Sequence, residues 1–151
     1  MTLPLREALE QCSRHAAVMQ AAMADLPAVF DVATVLAEDP QQVRATDSFV
    51  LRFIKLQDTL GEHVLRSFAV QILAEPVSDL PLIDVLNRLE RYGYLEAARW
   101  ARWRTLRNGL THDYPGQPEI RVAVLEEARR AAVELADLLA LIRARTQQPG
   151  A

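Results

Sequence analysis

Arg107, Asn108, His112 and Tyr114 fall within the single run RNGLTHDYP, and all four side chains are of types that hold phosphate or move protons. An imidazole titrates near neutrality and can take the proton of a 2′-hydroxyl or return one to a departing 5′-oxygen. A guanidinium stays charged and can hold the negative charge that builds on the phosphate oxygens between those transfers. The set suits cleavage of RNA without a metal ion, with Asn108 orienting either group or the phosphate through hydrogen bonds. An arginine five positions before a histidine is a weak signal alone. Asn108, Tyr114 and a position at the end of a helix, ahead of Pro115, make it specific.

The helix that must carry the set runs from about Leu95 through EAARWARWRTLRNGL and has to end by Tyr114, because Pro115, Gly116 and Pro118 cannot continue it. On its wheel Arg107 falls between Trp100 and Trp103, beside the stripe continued by Leu106 and Leu110, with Arg99 on the same side. A tryptophan at helical spacing among leucines is more often core than a stacking platform for bases. An unpaired charge is costly to bury. Arg107 must therefore meet a carboxylate on a neighbouring helix, such as Asp58, or reach a cleft, or lie in a subunit interface open to a ligand. His112 would point about 140° away from Arg107 in a regular helix. Either the helix ends before His112 and the turn brings the imidazole back, or the two groups meet across a two-fold axis, where one cleft collects two arginines and two histidines.

The rest of the chain reads as helices that frame this one. Leu5, Leu9, Cys12, Ala16, Met19, Met23 and Leu26 alternate spacings of four and three, and Pro27 stops that helix. His15 sits beside the stripe as a boundary residue. A short helix is expected in AVFDVATVL, with a break at Asp39 and Pro40. Asp47 or Ser48 is the expected cap of a long central helix, with Phe49, Phe53, Leu56, Leu60 and Val64 on one face and Leu51, Ile54, Leu65 and Ile72 widening it. LIDVLNRLERYG predicts a short helix stopped at Gly93. A last helix from about Glu119 carries Ile120, Val124, Ala128, Ala131, Leu135, Leu138 and Ile142. These elements predict an all-α, up-and-down bundle of four main helices plus short ones, as a single domain over residues 1–146 with a flexible tail at 147–151.

Charge and composition exclude several classes. With 17 basic and 20 acidic residues the chain is not a general nucleic-acid coat, so any RNA contact is local. Lys55 is the sole lysine, a bias toward guanidinium that suits phosphate recognition and equally follows from genomic composition. Cys12, the single cysteine, rules out an internal disulfide and a multi-thiolate zinc site, and packs as a small apolar residue. Arg6, Glu7 and Glu10 stand where a signal peptide would need an apolar stretch, and no run is long enough to cross a bilayer, so the expected location is cytoplasmic. No phosphate loop, metal-ligand spacing or nucleophile elbow is present. No cofactor is expected.

At these residues the chain resembles the HEPN superfamily, and more closely its HepT-like prokaryotic branch, whose mark is Arg, often followed by a polar residue such as Asn, then His, with a further Tyr in many members. The blocks DSFVLRFIKLQDTLG, PLIDVLNRLERYGYLE and WARWRTLRNGLTHDYP occur in the order typical of that branch. The resemblance implies a homodimer with the motif at its cleft, and a metal-independent ribonuclease that is the toxin of a type VII toxin–antitoxin pair. It assigns catalysis to Arg107 and His112 with help from Asn108, substrate binding to Arg104 and Asp113, and AMPylation by a partner nucleotidyltransferase antitoxin to Tyr114. The alternative within the same branch is a non-catalytic subunit that presents nucleotide or substrate to the nucleotidyltransferase, and beyond it a purely structural dimeric bundle. Arg99, Arg102, Arg104 and Arg107 spread around their helix instead of forming one strip.

Overall fold

Aspartate and proline set the helix starts. In the computed structural model, which describes residues 3–148, α1 (Leu5–Ala24) buries Leu5, Leu9, Cys12, Ala16 and Met19 and ends ahead of Pro27. Asp31 caps α2 (Val32–Ala37) by accepting the backbone N–H of Thr34 at 2.7 Å, and Glu38 closes it in the left-handed region. Asp39 then accepts the N–H of Gln42 at 3.1 Å, and Pro40 takes the first position of α3 (Pro40–Thr59). The expected caps Asp47 and Ser48 therefore lie about two turns inside α3. Pro40 does mark a break, but its fixed φ and missing N–H also suit the first turn of the next helix.

The long central helix is not uniform. After Thr59 the chain passes through a π-helical turn, Leu60–Val64, in which the N–H of Leu65 reaches back to the carbonyl of Leu60, and continues as α4 (Leu65–Gln71). Gly61 lies in that turn against the indole of Trp100, so close that a Cβ would fall 2.8 Å from Cζ2. Here the missing side chain is what lets two elements approach.

Arg66 donates to the carbonyls of Val77 and Leu80, and Arg88 and Tyr92 both bond Glu75, which ties the connection after α4 to α5 (Leu82–Arg91). At the end of α5, Gly93 adopts φ 80°, its N–H bonds the carbonyl of Glu90, and the N–H of Tyr94 bonds that of Leu89. That is the stop expected of a glycine. α6 (Ala97–Gly109) and α7 (Pro118–Thr146) follow.

Among the described residues there is no strand, and the molecule is an all-α bundle. α3 lies against α1, α6 and α7, and α6 against α5 and α7. Cys12, Phe49, Phe53, Leu56, Phe68, Trp100, Trp103, Leu135 and Ile142 belong to one continuous apolar cluster. Burial pushes the Cys12 thiol up to about 12, so it packs as an apolar group and is not a nucleophile. Two apolar assignments fail: Leu51 and Ile120 are 49% and 43% exposed. Periodicity gives the face of a helix but not how far its neighbours reach. Of the tail, Pro149, Gly150 and Ala151 lie outside the described residues. No described helix is long and apolar enough to cross a membrane.

The Gly61 contact makes a quantitative prediction. Gly61→Ala must displace the buried indole of Trp100, so overpacking lowers stability by about 1–3 kcal/mol despite alanine's higher helix propensity. A thermal or urea melt reads this directly; an unchanged midpoint would mean that Trp100 has room to move.

Candidate functional site

α6 presents Arg107 to α3 in its last turn. The guanidinium makes two hydrogen bonds to one carboxylate, Nε to Oδ1 of Asp58 at 2.9 Å and Nη2 to Oδ2 at 2.8 Å. A side-on bidentate pair fixes the plane of the guanidinium as well as its position. The hydrogen bond from Asp58 raises the Arg107 pKa above its ordinary value against the opposing effect of burial, with further support from the charges of Asp58 and Glu62. Nη1 is left without a protein partner among the described residues.

The pair borders a solvent-open cavity of about 400 Å³ whose lining includes Gln57, Glu62, Arg104 and Asn108. Gly61 and Trp100 form part of the same wall, so the π-helical turn shapes the cavity as well as the packing. Trp100 and Trp103 are 3% and 2% exposed and meet edge to face at 6.0 Å, which makes them core and leaves neither face to a base. Arg99 turns instead to α7, with Nε 3.4 Å from Glu134.

Past Gly109 the helix unwinds at once. The N–H and hydroxyl of Thr111 both bond the carbonyl of Asn108, the N–H of His112 bonds that of Gly109, and Tyr114 turns the chain at φ 52°. A left-handed tyrosine is uncommon and strained. It is held where its carbonyl accepts the N–H of Gln117 at 2.9 Å, just before Pro118 opens α7. The ring folds back over α6, and a Cβ on Gly109 would sit 3.1 Å from its hydroxyl. That hydroxyl end borders a groove between α6 and α7, with Arg102, Glu127 and Arg130 also on its walls.

The sequence-assigned residues thus divide into two groups. Arg104, Arg107 and Asn108 share the cavity beside Asp58. His112 is exposed, its ring 5.9 Å from that of Tyr114 and its carbonyl accepting from Arg121, and Asp113 lines a separate groove with Asp47 and Arg121. No hydrogen bond joins Arg107 to His112 within the chain. The helix does end before His112, but the turn carries the imidazole toward Tyr114 and not back to Arg107.

Gln57, Glu62 and Leu82 complete the cavity and carry no motif of their own. Gly61 did leave a signal, a lone glycine inside a long apolar pattern. No described group of three or more His, Cys, Asp or Glu side chains is placed to hold a metal ion. No protein-family model, curated protein or solved structure matches the chain.

Asp58 and Arg107 side chains are 33% and 29% exposed, between the surface and buried limits for an ion pair. Asp58→Asn and Arg107→Gln should each lower unfolding free energy by about 1–2 kcal/mol, with a coupling energy of roughly 0.5–2 kcal/mol in the double-mutant cycle. Strict additivity in urea unfolding would show that the pair contributes nothing to the α3–α6 contact.

Proposed function

We propose that the chain is a HEPN-like protein of the HepT-like branch: a metal-independent ribonuclease, active as a homodimer, that serves as the toxin of a type VII toxin–antitoxin pair and is silenced by a nucleotidyltransferase. The family likeness rests on RNGLTHDYP and the blocks that flank it. The structural observation that best supports the chemistry is an oriented guanidinium with a free nitrogen at a solvent-open cavity, beside Arg104 and Asn108.

Because Arg107 and His112 do not meet in one chain, this reading requires the second copy. One His112 removes the 2′-hydroxyl proton, the 2′-oxygen attacks the adjacent phosphorus, and His112 of the partner subunit protonates the departing 5′-oxygen. The products are a 2′,3′-cyclic phosphate and a free 5′-hydroxyl. Arg107 holds the charge on the non-bridging oxygens throughout.

The purified protein should cleave RNA in EDTA, and His112→Ala and Arg107→Ala should each slow it by about 10²–10⁴-fold. Cleavage that persists in both variants removes the reading. A cleft that uses both histidines adds a stricter outcome: wild type mixed with an equal amount of His112→Ala and allowed to exchange subunits should keep about a quarter of its activity per total protein, because every dimer with one altered chain has lost its acid or its base. Half of the activity survives the mixing if each site belongs to one chain.

In the silencing step the Tyr114 hydroxyl attacks the α-phosphorus of ATP, pyrophosphate leaves, and the phenolic proton passes to solvent or a base on the transferase. The attached AMP places bulk and negative charge next to the motif and repels the RNA backbone. Intact-mass measurement after incubation with the partner and ATP should show one added adenylyl group on wild type and none on Tyr114→Phe. Modification of the phenylalanine variant would move the acceptor elsewhere.

One observation favours the non-catalytic alternative: Asp58 already compensates the charge of Arg107. A binding subunit would form a stable complex with the transferase and bind nucleotide, yet leave RNA intact.

A further inference from the structure

Arg52 and Arg107 are both held in place, but by opposite means. Arg107 is held by a carboxylate, whereas Arg52 Nη1 donates to Nδ1 of His15 at 3.0 Å. A guanidinium has no acceptor, so Nδ1 must be the acceptor and the imidazole is neutral, with its proton on Nε2. Burial, together with the charges of Arg52, Lys55 and Arg14, pushes the His15 pKa below its usual value, which keeps it neutral at physiological pH. Arg52 is therefore oriented without being neutralised.

The surroundings add positive charge and no compensation. Arg14 and Lys55 are exposed and close enough for their charges to act on His15, and among the described residues none of the three cations has a carboxylate oxygen within 4.0 Å. The nearest acids in sequence are engaged or turned away: Glu10 pairs with Arg6, Asp58 with Arg107, and Asp47 lines the groove that holds Asp113. A chain with 20 acidic and 17 basic residues has carboxylates to spare, yet it leaves this cluster uncompensated. Mutual repulsion raises the free energy of such a cluster until an anion arrives.

The cluster also leads somewhere. Along α3, Arg52, Lys55 and Asp58 are three residues apart, each about 60° around the helix from the last and together spanning about 9 Å of its axis. The ridge runs from the α1-facing side to the carboxylate that holds Arg107.

We propose that Arg14, Arg52 and Lys55 form a phosphate-binding surface across α1 and α3 that carries single-stranded RNA toward the Arg107 cavity. The proposal rests on the ribonuclease reading for the identity of its ligand. A duplex or a general coat is disfavoured by the small size of the patch and the acidic remainder of the surface.

The test uses fluorescein-labelled single-stranded RNA and anisotropy in EDTA, on the full-length His112→Ala protein with and without Arg14→Gln, Arg52→Gln and Lys55→Gln combined. The triple variant should bind about tenfold or more weakly at low salt, and the slope of log K against log salt should be shallower by about 2, as expected for three lost phosphate contacts on a single strand. In the active background the triple variant should raise KM for a long RNA with kcat unchanged. A dinucleotide, too short to span the ridge, should be cleaved as by wild type. Circular dichroism and a thermal melt show that the variant is folded, and Arg52→Lys alone separates orientation from charge by retaining most of the salt slope.

Unchanged affinity and salt slope in a folded triple variant overturn the proposal, including the case in which the patch receives an acidic protein. RNA bound through this surface but never cleaved by wild type leaves the proposal standing and overturns the catalytic reading instead. Wild-type cleavage with binding indifferent to the triple variant does the reverse.

Discussion

The bidentate contact between Arg107 and Asp58 is the constraint from which the rest of the site follows. It joins the last turn of α6 to α3 just before the π-helical turn, next to the point where Trp100 presses on Gly61. Two apolar helices could slide past each other along their ridges with little change in buried area. A planar fork on a planar carboxylate cannot, because a small shift breaks two directional bonds at once. The register of α6 against α3 is thereby fixed, and with it the direction of Nη1 and the placement of Arg104 and Asn108 around the same cavity.

Beyond that contact the backbone changes its means of control. Up to Gly109 the side chains are aimed by helical periodicity; after it they are aimed by a turn in which Tyr114 occupies a left-handed conformation. The tyrosine can fold its ring over the helix end because Gly109 offers no Cβ, and the strain is retained because Pro118 must begin α7 shortly afterwards. Mobile termini rarely keep strained residues in place, so the turn is better described as clamped between two helices than as a loose loop. His112 lies between these clamps and is exposed, so that its reach toward any substrate is set by the turn and not by α6.

How much of this was legible in the sequence depends on whether the determinant was local. The stripe of α1, that of α7 from Ala128 onward, the glycine stop of α5 and the burial of both tryptophans follow from spacing and side-chain type, and they appear as read. A carboxylate such as Asp58 is one of three ways to satisfy a half-buried arginine, beside a cleft and a subunit interface, and only coordinates show that Arg107 has both the carboxylate and a cavity. The start of α3 was misread because Pro40 carries two meanings, a break in one helix and a favourable first residue in the next, and periodicity near Asp39 is too weak to decide. Leu51 was misread for a different reason: its place on the wheel is correct, but no neighbouring element reaches that far around α3. The π-helical turn had only Gly61 as its trace, and the pairing of Arg52 with His15 had none, since the partners lie on separate helices and neither has a motif.

The separation of Arg107 from His112 also gives a meaning to Asp58 that a single chain would not suggest. In a symmetric cleft of the proposed kind, each motif meets its own copy, and two guanidiniums brought close to one axis repel each other. With each arginine already paired to a carboxylate, the empty cleft holds little net charge from these groups and the two copies can approach. An entering phosphate then meets nitrogens whose orientation is fixed and whose repulsion has been offset in advance. Arg52 needs no such arrangement, because it stands away from the motif on the α1-facing side of α3, and there a neutral imidazole suffices to aim it. On the proposed reading the two modes of holding an arginine serve two demands: compensation where two copies must meet across an axis, and bare charge on a surface that has only to attract a strand.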